Sequence, residues 1–232
     1  PKVMVDEADA RGLNLVGLYG MSEVQALLSH QPESAAAAQR AKPGGRLVDP
    51  GTEVRVRDPD SGAILTLGQS GELEIRGPSL MARYDGNPEA TAAAFTADGF
   101  FRTGDLGYLE PGGGFVFQTR MGDVLRLGGF LVSPAEIEAH LQTHGSVDTA
   151  QVVGVATPAG TRAIGFVTLK PGAAFDEAAL RDWCRRSLAG FKVPGRIIRL
   201  DEFPATQSAN GVKIQRAKLR DMAAAALAAA EA

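Results

Sequence analysis

The stretch Phe101-Arg-Thr-Gly-Asp-Leu-Gly-Tyr-Leu-Glu-Pro-Gly-Gly-Gly-Phe-Val-Phe-Gln-Thr-Arg-Met-Gly122 decides how the chain is organised. Phe100 to Leu109 and Gly114 to Thr119 have the apolar, aromatic content of strands, and Pro111-Gly-Gly-Gly114 between them is turn chemistry. Upstream, Thr52 to Arg57 and Gly71 to Gly77 alternate apolar and polar residues. They read as an antiparallel hairpin with a long connection through the turn Asp58-Pro-Asp-Ser-Gly62. Leu13 to Leu18 is a short apolar run that predicts a buried strand, and residues 31–52, rich in Pro and Gly, predict loop apart from Ala35–Ala38. Asn87-Pro88-Glu89 opens a helix with Asn as cap and Pro at the first position.

After Arg120 the pattern changes, and Met121-Gly122 reads as a joint. Val124 to Val132 is strand-like but broken by Gly128-Gly129, and Ser133-Pro-Ala-Glu136 has the form of a capping box. Strands are expected over 150–156, 163–169 and 196–200, a helix over 177–189, a loop over 203–211, and a last helix from about Gln215 whose Ala-rich end, 223–232, frays. The expected fold class is therefore mixed α/β and α+β, with a β-rich part over 1–121 and a small α+β domain over 122–232.

Composition narrows the function classes. The chain has 232 residues, 44% hydrophobic and 22% charged, which excludes collagen-like, coiled-coil and wholly disordered readings. Lys plus Arg number 24 against 27 acidic residues, so no basic footprint points to nucleic acid. The lone Cys184 cannot form an intrachain disulfide, and its setting beside Trp183 suits a buried structural thiol. No apolar run reaches the length of a membrane span, and no signal peptide is apparent, so a cytoplasmic protein is expected. His30, His140 and His144 have no metal-ligating neighbours in sequence.

Four stretches can carry chemistry. Tyr19-Gly20-Met21-Ser22-Glu23 offers a ring for stacking, a hydroxyl for a phosphate oxygen and a carboxylate for a cation, although a plain turn capped by Ser22 would look the same. Asp105 in Thr103-Gly104-Asp105 can accept both hydroxyls of a ribose, or can simply occupy a turn. Arg120-Met-Gly-Asp123 with Gly128-Gly129 suits close backbone approach to a ligand, or a glycine bulge. Lys213 behind Asn210-Gly211 is a point charge able to swing toward an anion, or a solvated helix-start lysine.

Taken in order, these stretches, with Gly71-Glu-Leu-Glu-Ile-Arg-Gly77 and Met81-Ala-Arg-Tyr-Asp-Gly-Asn-Pro-Glu-Ala-Thr91, resemble the adenylate-forming superfamily of acyl-CoA synthetases, peptide-synthetase adenylation domains and firefly-type luciferases. The resemblance spans Leu13 to Leu219 and implies a ligase that joins a carboxylic acid to ATP as acyl-adenylate and passes the acyl group to coenzyme A. It implies that Tyr19 stacks on adenine, Gly20 lies in the cofactor-binding turn, Ser22 meets phosphate and Glu23 helps hold Mg²⁺. Asp105 would hold the ribose with help from Arg120, and Lys213 would serve adenylation, with Lys218 second in rank. Arg126, Gly128 and Gly129 would face the pantetheine tunnel after rotation of the small domain. Two departures stand out: Gly122 occupies the hinge position usual for Asp or Lys, and Asn-Gly-Val-Lys replaces the commoner Thr-Gly-Lys.

The family's Thr/Ser/Gly-rich phosphate loop and the bulk of its large domain are missing, which implies the C-terminal portion of the protein, inactive alone, with the missing N-terminal domain as its partner. Val24, Ala26, Leu27 and Leu28 suit a fatty or aryl acid. The alternatives are an enzyme loading a carrier protein, a luciferase-like oxygenase, and a non-catalytic nucleotide-binding remnant.

Overall fold

The computed structural model describes residues 2–158, 160–208 and 211–231, with the side chains of residues 207, 208, 211–213, 230 and 231 outside the description. The chain divides into two compact units, Pro1–Gly122 and Asp123–Ala232. The first contains α1 (Lys2–Asp9), β1 (Leu18–Tyr19), β2 (Ser29–His30), α2 (Ala37–Arg40), β3 (Gly44–Leu47), β4 (Glu53–Arg57), β5 (Gly71–Arg76), α3 (Pro88–Ala94), β6 (Phe101–Glu110) and β7 (Gly114–Arg120). Its strands form one antiparallel sheet in the order β1-β2-β3-β7-β6-β5-β4. Alternation is what builds it: Val56, Leu73, Ile75 and Phe115 turn inward and join Tyr19, Val24 and Leu28 in one core. Asn87 caps α3 as its sequence requires, its Oδ1 accepting from Ala90 N at 3.0 Å.

A fully buried acid locks β4 to β5. Glu74 lies opposite Arg55 in the ladder and accepts from Arg55 Nε at 2.6 Å and from Arg57 Nε at 2.7 Å, because alternate residues of β4 share a face. Arg55 also stacks 3.7 Å above the Phe100 ring and forks onto Asp98, holding that carboxyl far below its usual range with help from Thr96.

The second unit contains β8 (Leu125–Leu127), β9 (Phe130–Val132), α4 (Pro134–Gln142), β10 (Val147–Thr157), β11 (Gly160–Leu169), α5 (Glu177–Ser187), β12 (Arg196–Arg199), β13 (Ala205–Ser208), β14 (Gly211–Ile214) and α6 (Arg216–Glu231). β10 and β11 pair antiparallel, and the chain returns through α5 to lay β12 parallel to β11. Ile137, Leu141, Val152, Val167, Leu180 and Cys184 meet in its main core, while Leu219 and Ala223 of α6 pack with Val153, Ile164 and Phe166. Burial alone raises the Cys184 thiol to about 11, so it is inert at neutral pH.

Several expectations need correction. The run 13–18 is a strand only at Leu18–Tyr19, and Leu13, Leu15 and Leu18 are exposed. Asn14 is engaged by Arg40 and Gly17 bonds Arg40 and Gln31 through its backbone, so the run is pinned as irregular chain at an edge. Residues 31–52 hold α2 and β3 rather than loop alone, and 203–211 holds β13 and the first residue of β14. The span 124–132 is a tight hairpin, its turn formed by Gly128 and Gly129 at φ 58° and 85°. The Ser133 capping box does not close, because Lys192 takes both oxygens of Glu136 at 2.6 and 2.8 Å. The helix expected over 177–189 stops at Ser187, where Leu188 turns extended, and α6 is helical from Arg216 through Glu231.

Replacing Glu74 by Ala takes the carboxylate away from Arg57 and leaves Arg55 with Asp98 alone, two guanidinium groups facing each other across the lost acid. The expected loss is about 3 kcal/mol from the urea-unfolding transition of the first unit, since breaking a largely buried ion pair exposes an uncompensated charge. A loss typical of a surface pair, below about 1 kcal/mol, contradicts this account.

Candidate active site

The site in the first unit begins with a break in a strand. Along β5 and β6, Glu72 faces Leu106 and Glu74 faces Arg102, so Thr103, Gly104 and Asp105 together oppose Leu73 alone. Such a bulge bends the strand and re-aims its side chains. Gly104 takes φ 68°, a value that suits glycine. Thr103 pins the bulge, its hydroxyl donating to Leu73 O at 2.7 Å and accepting from Asp105 N at 3.0 Å. Thr103 was missed in sequence because a threonine in a strand carries no mark of such a role.

The bulge buries Asp105 to 1% exposure. Tyr19 donates its hydroxyl to Asp105 Oδ2 at 2.6 Å across 86 residues of sequence. Arg120, directly opposite Asp105 on β7, brings Nη1 within 2.9 Å of Oδ1, yet Oδ1 receives no aligned N–H from any described residue. Arg120 Nη1 instead donates to Thr103 O at 3.4 Å. Burial raises the Asp105 pKa above the usual carboxylate value, and the Tyr19 and Arg120 contacts pull it back in part. Burial and the same carboxylate push the Tyr19 phenol far upward, so it stays a proton donor across the working range.

Tyr19 itself is only 6% exposed, its ring edge-on to Phe115 at 5.2 Å and tilted against Phe117 at 5.8 Å. Within this unit its role is to hold Asp105 and pack the core. The chain then folds over Gly20: a Cβ there would fall 1.4 Å from Ala26 O, so only glycine fits. Gln25 and Ala26 adopt positive φ of 59° and 82° in the same turn, strain of a kind that collects at functional sites. Ser22 is exposed and opens a one-turn helix, Ser22–Val24, without capping it.

Glu23, next in that turn, accepts from Tyr84 OH at 3.1 Å and is braced through its backbone by Met81 N at 2.7 Å. Tyr84 belongs to the quoted phrase 81–91, but nothing local marks its contact with Glu23. Glu23, Glu72, Tyr84, Arg102 and Arg120 border one cavity of about 490 Å³ beside the bulge, with the small residues of α3 on another side. Burial raises the Glu72 carboxyl, partly offset by the Gly104 N–H at 3.3 Å. No group of three His, Cys, Asp or Glu capable of holding a metal occurs among the described residues. Of the four residues that suggested an apolar acid pocket, Val24 and Leu28 are core, whereas Ala26 and Leu27 are exposed.

The remaining candidates belong to the second unit. Arg126 is exposed on β8, beside the Gly128-Gly129 turn. A Cβ on Gly128 would approach Phe191 Cβ to 3.1 Å, and Phe191 stacks on Phe130 at 4.8 Å. Lys213 lies on β14 opposite Thr206, with its side chain outside the described residues, and Lys218 is exposed on α6. Asn210 lies outside the described residues.

Two substitutions test this geometry directly. Gly20→Ala drives a methyl into Ala26 O, and the expected result is disruption of the Tyr19–Glu23 turn, read as loss of the slow amide exchange of Leu28 N–H; retained protection contradicts it. Tyr19→Phe removes a donor that favours ionised Asp105. The folded-state pKa of Asp105 already lies above its unfolded value, so its titration midpoint moves further up, measurable by carboxyl-carbon NMR; an unmoved or lowered midpoint refutes the assignment.

Comparison with known proteins places the chain in a family. The family described as "AMP-binding enzyme" matches residues 1–85, and "AMP-binding enzyme C-terminal domain" matches residues 136–210. The chain is 36% identical over 205 residues to the 2-succinylbenzoate–CoA ligase of Geobacillus kaustophilus, covering 88% of this chain and 41% of that protein. It is likewise 36% identical over 214 residues to the sulfoacetate–CoA ligase of Cupriavidus necator, covering 90% and 40%. Among solved structures, ATP-bound MatB from Rhodopseudomonas palustris superposes with TM-score 0.77 at 32% identity, over 88% of this chain and 40% of that one. The AMP complex of the O-succinylbenzoate coenzyme A synthetase of Bacillus subtilis gives TM-score 0.79 at 25% identity, over 95% and 44%. The chain thus spans about two fifths of the length of the curated relatives it matches. With both family descriptions matched in order along it, the chain belongs to the adenylate-forming, AMP-binding superfamily.

Proposed function

We propose that this chain is part of an ATP-dependent, AMP-forming acid–thiol ligase and supplies its ribose-binding carboxylate and its adenylation lysine. One observation carries the reading: Asp105 is buried, oriented by Tyr19, and retains an oxygen with no aligned donor, beside a cavity bordered by Glu23 and Arg120. A buried acceptor of this kind is costly unless a partner arrives, and a ribose hydroxyl is such a partner. The matched CoA ligases and the ATP- and AMP-bound structural relatives support the same assignment.

In the proposed first half-reaction a carboxylate oxygen attacks the α-phosphorus of ATP, the bond to the bridging oxygen breaks, and pyrophosphate leaves. In the second, the thiol of coenzyme A displaces AMP to give a thioester. Asp105 and Arg120 hold the ribose, Ser22 lies within the phosphate-binding turn, and Tyr19, its ring packed in the core, keeps Asp105 aimed. Glu23 alone cannot build a protein cage for Mg²⁺, which suits an ion bound through one carboxylate plus substrate phosphates. Bound there, the ion would neutralise phosphate charge. Lys213 opposes the negative charge that develops at the α-phosphate during adenylation. Arg126, Gly128 and Gly129 serve the thiol half-reaction at the pantetheine arm. We retain a fatty or aryl acid as the substrate class, now resting on exposed Ala26 and Leu27, and a cytoplasmic site of action.

One observation favours a second acceptor class. Triostin synthetase I of Streptomyces triostinicus is 36% identical over 218 residues, covering 91% of this chain. It is named a synthetase without mention of coenzyme A, and a carrier-protein thiol in place of coenzyme A is the second reading.

Lys213→Ala in the complete ligase tests the assignment. Acid-dependent ATP–pyrophosphate exchange is expected to fall about 10²–10³-fold, the scale for removing one electrostatic stabiliser, while thioester formation from pre-made acyl-adenylate continues. The chain alone is expected to show no exchange. Undiminished exchange in the variant, or robust exchange by the chain alone, overturns the reading. An acid panel against the complete enzyme, with coenzyme A and carrier protein as parallel acceptors, assigns substrate and acceptor.

A further inference from the structure

Glu138, on α4, is a buried acid that the proposed reaction does not use. It is 8% exposed, and its Oε1 accepts two hydrogen bonds, from Val152 N at 2.9 Å and from Arg216 Nη2 at 2.9 Å. Arg216 closes the figure by donating from Nη1 to Val152 O at 3.1 Å. Three elements, α4, β10 and the first residue of α6, therefore meet in one ring of directional bonds. One turn further along α6, on the same face, Arg220 donates from Nη2 to Asp123 Oδ1 at 2.9 Å.

Docking of α6 does not require this ring. Leu219 and Ala223 are fully buried against Val153, Ile164 and Phe166, with Ile214 and Leu227 at the margin. Apolar packing of that kind holds a helix in place, and a buried ion pair adds little to it in net stability. Small apolar side chains such as alanine, repeated along α6, are poor at fixing rotation and axial register, since a shifted helix presents much the same surface. The fork of Arg216 supplies what they lack, because it accepts one rotational setting only. The segment fixed in this way is short: Gln215 N donates to Pro204 O at 2.8 Å, and Lys213 lies three residues before Arg216 on β14.

We propose that Glu138 and Arg216 are positioning residues for Lys213, and that the Asp123–Arg220 pair is a second strut acting on the same helix. The inference rests on the reading of Lys213 as the adenylation lysine. Ribose-binding Asp105 and the groups around it are untouched by it.

The test compares both half-reactions in the complete ligase for Glu138→Gln, Arg216→Lys, the double variant, Asp123→Asn and Lys213→Ala. Glu138→Gln keeps an acceptor for Val152 N–H but loses the charge that orients Arg216. Arg216→Lys keeps the charge but cannot serve two acceptors at fixed geometry. Each is expected to slow acyl-adenylate formation between about tenfold and 10²-fold, the scale of a displacement of about 1 Å at a reacting group. Thioester formation from pre-made acyl-adenylate stays unchanged, although Glu138→Gln lowers the melting temperature by breaking a largely buried ion pair. The double variant is no slower than the slower single one, since both act through one contact. Asp123→Asn gives a smaller loss confined to the same half-reaction. Equal losses in both half-reactions, unaltered adenylation, or additive losses in the double variant overturn the proposal. Lys213→Ala separates the two levels: if it leaves adenylation intact, the functional reading fails, whereas collapse in Lys213→Ala beside normal rates in the ring variants sinks the positioning role alone.

Discussion

The hydrogen bond from Tyr19 to Asp105 is the interaction on which the first unit's site depends. It joins the second residue of an edge strand to the middle of a bulged central strand, 86 residues later. Without the bulge, strict alternation could not turn both Asp105 and its neighbour Leu106 inward, yet both are buried. Without Tyr19, the carboxylate would face a low-dielectric interior with only the side chain of Arg120, itself 61% exposed, as compensation. The phenol is well suited to the task. Its own proton is held more tightly by the same burial, so the bond keeps one polarity throughout the physiological range.

What the sequence made legible followed from local rules. The alternation of 53–57 and 71–76, the Pro-Gly-Gly-Gly turn and the Asn87 cap each act over a few residues, and each appears as read. The failures share a cause in long-range competition. Glu136 has the right spacing to complete a cap, but Lys192, 56 residues away, offers a full charge in place of an amide. Leu13 and Leu15 have the composition of a strand, yet a buried Arg40 draws the Asn14 side chain and Leu15 O to itself, and Leu13 N bonds back to Ala8 O. The β13–β14 hairpin was hidden because its first strand, Ala-Thr-Gln-Ser, has no apolar face to alternate.

The site followed the same division. Tyr19, Glu23, Asp105 and Arg120 were legible as residue types in motif order, and the structure adds the relations among them. Thr103, Tyr84 and Glu72 act by contact with chain distant in sequence, and no spacing rule announces that. Gly20 is instructive. The resemblance marked it as part of a ligand-binding turn, whereas the structure supplies a prior reason: the Ala26 carbonyl occupies the space a side chain would need. A residue can thus be required by the turn that presents a ligand group without touching the ligand.

Two acids lie buried in the same sheet, and the contrast between them separates architecture from site. Glu74 has each oxygen met by an aligned guanidinium donor, at 2.6 and 2.7 Å, and is fully buried beneath them. Asp105, one strand over, has one oxygen satisfied by Tyr19 and one that meets a guanidinium nitrogen at 2.9 Å without an aligned N–H. Charge alone therefore does not distinguish them, since each faces arginine. The difference is directional: at Asp105 Oδ1 the guanidinium of Arg120 is close but presents no aligned N–H. The Coulomb attraction is kept, lowering the cost of burial, while the hydrogen-bonding capacity is left open. A neutral hydroxyl reaching that oxygen would gain a charge-assisted bond. Incomplete pairing of a buried charge, tolerable only because an ion pair partly offsets it, is the physical mark by which this position reads as a binding group rather than a strut.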